Sequence, residues 1–278
     1  MEEYDSLAFY QEGFIRSVRR VLGGSWLRRH PAVSILDMGC DTSGRQLREF
    51  SLLTRGEVVG VNVADGFPSA AAFANAGNRV SLLNMDGMRL SFPDHSFDFV
   101  ISANVLEHVP DPGLFLSEAA RVLKPTGLCY METAPVWTSA RGHHIMESMI
   151  ERMCPLEWRF IDDGSVIPEW GHLQLNRSQM QQHLLPRLQK ETVDYIIHYL
   201  YDSGDLNKWS WGRLKAAIHH SFPFVRIAHW SVPVKDSSMM PADGQDDYSI
   251  YGFSFQGRLR PESWLKRRIC WRLRRLGL

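Results

Sequence analysis

Cysteine is sparse in this sequence. Four are present in 278 residues, Cys40, Cys129, Cys154 and Cys270, and none share a CxxC spacing, which excludes a zinc ribbon and suits a reducing cytoplasm. Long apolar runs are lacking too: no window of about 18 uncharged apolar residues occurs, so no membrane-spanning helix is expected. The opening Met1-Glu2-Glu3-Tyr4-Asp5 is acidic and lacks an apolar h-region, so no signal peptide is expected. Net charge is missing as well, with 31 basic and 31 acidic side chains. The balance is uneven. Residues 258–278 hold Arg258, Arg260, Lys266, Arg267, Arg268, Arg272, Arg274 and Arg275 against Glu262, a surplus of seven, and the rest of the chain carries the matching deficit. With 44% hydrophobic and 22% charged residues, the composition is that of one soluble globular domain with an elaboration.

What the chain does have is a strong strand–turn–helix signal at residues 33–44, V-S-I-L-D-M-G-C-D-T-S-G. A short apolar run ends in a carboxylate, passes through a Gly-rich turn and opens a helical stretch over residues 45–53. Such a turn lets backbone N–H groups approach a ligand, and the carboxylate at the strand tip can accept hydrogen bonds from a cationic or hydroxylated group. Further strands are predicted over residues 57–63, 79–84, 96–102 and 128–133, with an amphipathic helix over 113–123. A leading helix over 6–22 places Leu7, Phe9, Phe14, Val18, Val21 and Leu22 on its apolar side, and Gly23-Gly24 stops it.

Four motifs in order, D-x-G-C at 37–40, F-P-D-H-S-F-D-F-V-I-S at 92–102, N-V-L-E-H-V-P-D-P at 104–112 and R-V-L-K-P-T-G at 121–127, carry a resemblance. They resemble the class I S-adenosylmethionine (SAM) methyltransferases of the ubiquinone/menaquinone-biosynthesis type, the methyltransferase type 11 family, over residues 30 to 135. The resemblance implies an α/β, Rossmann-like fold: a seven-stranded, mostly parallel sheet with helices on both faces, the last strand antiparallel, and here a helical insertion after the fifth strand. It implies SAM as cofactor, held by Asp37, Gly39, Cys40, Asp41, Asn62, Asp86, Gly87, Met88 and Asn104. Asp86 would accept from the adenine amino group, the Gly87-Met88 backbone would meet the ring edge, and residues 102–104 would line the methionine moiety. In that family a leading helix covers the cofactor; packing on the sheet edge is the plain alternative.

Two positions depart from the family pattern. The run D-x-G-x-G-x-G has Asp41 and Ser43 for its second and third glycines, and the second strand tip carries Asn62 where the family has Asp or Glu on the ribose hydroxyls. Asp tolerates a left-handed backbone, and its charge would favour a sulfonium or amino group over a phosphate. Asn62 lacks the charge that strengthens such a bond. Asp65 is a candidate substitute. These departures keep a non-catalytic binding or scaffold protein of the same fold as the alternative to an enzyme.

Residues 1–134 thus read as the SAM-binding core, 135–222 as a substrate or lid insertion, 223–260 as the closing strands (predicted over 224–234 and 248–259) and 261–278 as a basic amphipathic tail. Within the insertion, helices are predicted over 176–188, 191–201 and 208–221. For a hydroxyl acceptor the protein must take a proton, and His143, His144 and His172 are the candidate general bases because they lie on the segment that should roof the cofactor. No metal is expected on these histidines, since adjacent imidazoles splay and no carboxylate falls at ligand spacing. Trp137, Trp158, Trp170 and Phe160 would wall a small-molecule or lipid-linked acceptor. The tail, with Leu265, Ile269, Leu273 and Leu276 on one stripe and tryptophans among arginines, has the pattern of a membrane-surface helix; a docked terminal helix is the plain reading. Nucleic acid is disfavoured because Ser102-Ala103-Asn104-Val105 stands where base methyltransferases carry N-P-P-[YF]. A cytoplasmic protein, peripheral to a membrane if the tail binds one, is expected; its oligomeric state is left open.

Overall fold

The computed structural model describes residues 6–22, 32–41, 43–63, 80–145, 166–243 and 246–261. Asp65, Trp158, Phe160, Cys154, Cys270 and the tail from Glu262 onward lie outside the described residues.

Alternation along the strands decides the architecture. In β1 (Ile35–Met38), β2 (Val58–Asn62), β3 (Val80–Asn84), β4 (Phe97–Ala103) and β5 (Leu123–Thr133), neighbouring residues are apolar with little interruption, as strands covered on both faces must be. Ile35, Val58, Leu82, Phe99, Ile101, Leu128 and Tyr130 point to one face. There α1 (Ser6–Leu22) delivers Phe14, Val18 and Leu22, and α2 (Arg45–Ser51) delivers Leu47 and Phe50. Leu36, Met38, Val59, Val61, Val100, Cys129 and Met131 point to the other face, against Phe115, Leu116 and Ala119 of α3 (Pro112–Val122). Each such side chain, once buried, contributes roughly 1.5–3 kcal/mol. The leading helix therefore packs on a sheet face, where Phe14 meets Phe50 edge-on at 5.9 Å and stacks with Tyr130 at 6.2 Å.

The sheet has seven strands in the order β3-β2-β1-β4-β5-β7-β6, where β6 is Phe224–Trp230 and β7 is Gly252–Arg258. All pairs are parallel except those of β7, which runs antiparallel to both neighbours. The fold expected from the sequence is the one observed. Because β1, β2 and β3 are consecutive parallel neighbours, with Asp37 opposite Gly60 and Asn62 opposite Asn84, their C-terminal tips share one edge.

Between β5 and β6 the chain forms α4 (Gly171–Gln174), α5 (Arg177–Leu184), α6 (Lys190–Tyr201) and α7 (Trp211–Ser221). Asn176 caps α5 through a capping box with Gln179. Leu184, Val193, Ile196, Ile197 and Leu200 form a separate core with Ile145 and Ile167. α7, by contrast, joins the core of the sheet through Trp211, Leu214 and Ile218. This is the helical insertion after the fifth strand.

Several boundaries differ from the sequence reading, each for a tertiary reason. β5 begins at Leu123 instead of residue 128, because Leu123 already pairs with Phe97 and a register irregularity between Phe97 and Phe99 absorbs the Lys-Pro-Thr-Gly stretch. β6 stops at Trp230, before residue 234, where the buried Glu169 carboxylate takes the amides of Lys235 and Asp236 at 2.8 and 2.9 Å and turns the chain aside. β7 begins at Gly252 and not at 248 because Asp247 folds back on the amide and hydroxyl of Ser249 at 3.1 and 2.6 Å.

Candidate functional site

The shared edge of strand tips is where an open α/β sheet places its ligand. Asp37, at the end of β1, is 1% exposed, and its Oδ2 meets no hydrogen-bond donor among the described residues. Burial, aided by Asp41, pushes its carboxyl well above the usual range. A buried, unpaired carboxylate oxygen at a strand tip fits a cationic or hydroxylated ligand, because such a partner repays the desolvation that the fold leaves standing. Gly39 follows with φ 82°, and a Cβ there would lie 2.3 Å from the Val105 methyl, so the first loop and the turn after β4 touch only because this residue has no side chain. Ser102 Oγ donates to the Met38 carbonyl at 2.6 Å and locks the tips of β4 and β1 together.

The neighbouring loop residues are committed to one another. Asp41 accepts from the amides of Arg45 and Gln46 at 3.1 and 3.2 Å and from the Ser43 hydroxyl, so its carboxylate caps α2. Asn62 donates Nδ2 to the Cys40 carbonyl at 2.7 Å, and its Oδ1 accepts from the Val63 amide at 2.7 Å. A carboxylate in its place would face that carbonyl with no proton to offer, which gives a local reason for an amide where the resemblance implies an acid. Cys40 is fully buried, its thiol raised first by desolvation and then by Asp37 and Asp41, and its amide is held by the Val61 carbonyl at 3.1 Å. Its side chain belongs to the core face near Gly60.

At the third tip Asp86 is exposed, and its Oδ1 accepts from the Met88 amide at 2.8 Å. Gly87 has Phe115 where a Cβ would stand, 2.5 Å away, so no other residue fits the turn without displacing that ring. Met88 is partly buried against the core, and Asn104, exposed with φ 51°, is tied by its amide to the Glu132 carbonyl at 2.9 Å. Asp37 and Asn62 thus stand at the ends of β1 and β2, and Asp86 and Asn104 just past the ends of β3 and β4, four adjacent strands, and the orphaned Asp37 oxygen with the left-handed Gly39 is a set that fits SAM. Asp37, Asp86 and Asn104 would hold it, and Asp41 and Asn62 would shape the loop around it.

Above this edge lies the segment after β5. The three predicted histidines are all buried, yet they divide into two groups, as the backbone sends adjacent imidazoles apart. His143 accepts from the Ile145 amide at Nδ1, 3.0 Å, which occupies that lone pair; its ring lies 5.6 Å from His172. His172 sits in the short helix α4, edge-on to Trp137 at 4.7 Å, and donates Nε2–H to the Trp137 carbonyl at 2.7 Å. Its Nδ1 therefore carries the lone pair, is buried, and meets no partner among the described residues. His144 turns the other way, 4.8 Å from the His108 ring and with Nε2 3.9 Å from Glu107 Oε1. Desolvation lowers all three: His143 well below its usual value, with further lowering from His172, and His144 and His172 to about 4. At neutral pH they are uncharged.

The aromatic walls divide as well. Trp137 is half-buried, with the Lys208 ammonium 5.5 Å from its ring centre. Trp170 is 2% exposed and packs with Ala140 and Tyr248, so it fills a core and does not line an acceptor surface.

Sequence reasoning missed Glu107 and Asn207. Glu107 is buried, accepts from the Thr133 hydroxyl, and has its carboxyl raised by desolvation against the opposing pull of His108. Asn207 donates Nδ2 to the carbonyls of Leu106 and Val109 at 2.7 and 3.0 Å, and its amide donates to the Glu107 carbonyl at 3.1 Å. The E-H pair in the 104–112 motif was a signal for the first; for the second there was none, since a loop Asn carries no pattern.

Residues 36–131 match the family model described as a methyltransferase domain. An uncharacterized methyltransferase of Mycobacterium tuberculosis is 34% identical over 149 residues, 52% of this chain and 57% of that protein. One of Mycobacterium marinum is 39% identical over 88 residues, 32% of this chain and 34% of that protein. A sterol 24-C-methyltransferase of Yarrowia lipolytica is 33% identical over 105 residues, 35% of this chain and 26% of that protein. The matched stretch thus spans between about a quarter and just over half of these relatives. Among solved structures, the YcgJ protein of Bacillus subtilis overlays with a TM-score of 0.47 at 16% identity, covering 83% of this chain and 93% of that one. Over residues 36–131 the chain thus carries a stretch similar to a methyltransferase domain.

Proposed function

We propose that this protein transfers a methyl group from SAM to an oxygen of a small-molecule or lipid-linked acceptor docked beneath the segment that follows β5. The observation that carries this reading is four of the buried polar atoms that lack a partner among the described residues, on that segment and the tips below it: Asp37 Oδ2, Glu107 Oε1, Ser139 Oγ and His172 Nδ1. Folded proteins rarely leave such atoms unpaired, and their grouping at one edge of a sheet supports a site made for polar ligands. When bound, SAM supplies a methyl already activated by its sulfonium. What would remain for the chain is to align the acceptor and take its proton: His172 Nδ1 would accept the O–H proton as the S–CH3 bond gives way to O–CH3 and S-adenosylhomocysteine leaves as a neutral thioether, and would later release that proton to water. The Nε2–H bond to the Trp137 carbonyl fixes the tautomer that this role needs.

The basic stretch 261–278 suits an anionic membrane surface, which would bring a lipid-carried acceptor to the site. Co-sedimentation with vesicles of anionic against neutral lipid tests this, and equal binding to both would remove it.

A second reading, a binding protein that keeps the domain without turnover, is favoured by the commitment of Asp41 and Asn62 to bracing the loop. Calorimetric titration with SAM and with S-adenosylhomocysteine, followed by comparison of metabolites in cells with and without the gene, separates the two. The enzyme reading expects binding and an acceptor pool shifted by one methyl mass. Binding with no such shift supports the second reading, and no binding overturns both.

A further inference from the structure

We propose that Glu107, His108 and His144 form a binding site for one divalent transition-metal ion of the zinc, cobalt or manganese kind. One ligand atom from each of the three lies within 4.8 Å of the others, and Glu107 Oε1 stands 3.9 Å from His144 Nε2. Around a tetrahedral ion with N and O ligands at about 2.0–2.2 Å, ligand atoms sit roughly 3.3–3.5 Å apart, so modest side-chain rotation completes the set. Two imidazoles and one carboxylate form a donor set for borderline ions; magnesium and calcium prefer oxygen throughout.

The surroundings hold the three side chains as metal ligands are held. Glu107 is 8% exposed; the Thr133 hydroxyl fixes one carboxylate oxygen, while the other, 3.9 Å from His144 Nε2, is buried and has no hydrogen-bond partner among the described residues. An unpaired anionic oxygen of this kind is costly unless a cation or a donor meets it. His108 shares its Nδ1 proton with the Asp205 carbonyl at 3.0 Å, which leaves the lone pair on Nε2; an imidazole braced at one nitrogen by a backbone carbonyl is the usual state of a metal ligand. The His144 contact to the Ala134 carbonyl is long, 3.4 Å, and is readily exchanged for a coordinate bond. His108 is exposed, which gives an ion a way in and leaves a coordination position toward solvent. The carboxylate comes from the turn after β4 and the second imidazole from the loop after β5, so chain spacing hides the cluster. The site would also tie the methyltransferase core to the segment that roofs it.

The test is a titration of the chelator-treated full chain with Zn(II) by calorimetry, and with Co(II) by visible absorption, both without SAM so that the result is independent of methyl transfer. One equivalent is expected, with a Co(II) spectrum of mixed nitrogen and oxygen ligation. His108→Ala should weaken binding at least about tenfold while leaving the metal-free melting temperature unchanged, because that side chain is exposed. His144→Ala and Glu107→Gln should weaken it further. His198→Ala, on the exposed face of α6, should leave the titration unaltered. Absence of stoichiometric binding overturns the proposal, and so does binding that His108→Ala and His144→Ala both leave intact.

Discussion

The strand-tip cradle and the roof above it handle buried polarity in opposite ways. In the cradle nearly every polar group meets another: Asp41 with the first amides of α2, Asn62 with the backbone of Cys40 and Val63, Ser102 with Met38. Asp37 Oδ2 is the exception. In the roof Ser139, Arg141 and His172 each keep a buried polar atom without a partner among the described residues, and three imidazoles are buried without charge. The cradle is a shape fixed by backbone bonding that tolerates little change in side-chain length. The roof has stored its unmet hydrogen-bonding capacity, and on the proposed function that is where an acceptor would be chosen.

Exchanging His172 for Gln attacks the contrast most sharply. A Gln side chain can still donate to the Trp137 carbonyl, so the fold is kept while the imidazole lone pair goes. Single-turnover rates should fall about 10²–10⁴-fold with SAM affinity unchanged; a rate within threefold of the original would remove His172 as base.

Acid should undo the roof before the cradle. His144 and His172 have folded-state pKa values of about 4 against an ordinary value of 6.5, so folding excludes their protons. Stability is whole above about pH 6.5 and is lost as pH falls toward 4, by about 3 kcal/mol for each histidine over that range. Near-ultraviolet circular dichroism should show tryptophan signals fading across this window, and replacing either histidine with Gln should shift the fading to lower pH.

Asp37→Asn should separate function from stability. The raised carboxyl pKa means that ionisation opposes folding, so at neutral pH the neutral amide should melt at the same or a higher temperature. SAM affinity should fall about 10–100-fold with the loss of a charge-assisted bond. Affinity in the unaltered chain should rise with pH as Asp37 ionises, and the variant should lose that slope. Improved SAM binding by the amide would contradict the placement of Asp37.

Asn62→Asp should have the smallest effect. It restores the acid that the family pattern carries but removes the donor to the Cys40 carbonyl, and a loss of about 1–2 kcal/mol in chemical denaturation is expected. A gain in stability would mean that the loop is not held by this amide.

The sheet was legible in the sequence because burial on both faces leaves continuous apolar runs ending in polar tips; Asp37 and Asn62 mark two of those ends, and Asp86 lies two residues past a third. What the side chains at the tips do was not legible. Asp41 reads as a charge offered to a ligand, yet the nearest partners for it are the amides opening α2, which only the folded turn brings within reach. The histidines were found by composition and position, but their division into a pair beside Trp137 and one beside Glu107 depends on how residues 143 and 144 diverge from a backbone whose course no periodicity encodes. Glu107 lies thirty-seven positions earlier in the chain, and only the parallel pairing of β4 with β5 closes that distance.

Asn207 has a bearing on how such domains could be recombined. Its amide side chain holds the turn 106–109 from a point 101 residues downstream of Leu106, on the stretch between α6 and α7. A graft that exchanges the insertion after β5 with that of a relative would sever this staple unless the incoming segment carries an equivalent donor. The natural unit for transplantation therefore ends past residue 207, not at the last helix of the insertion's own core.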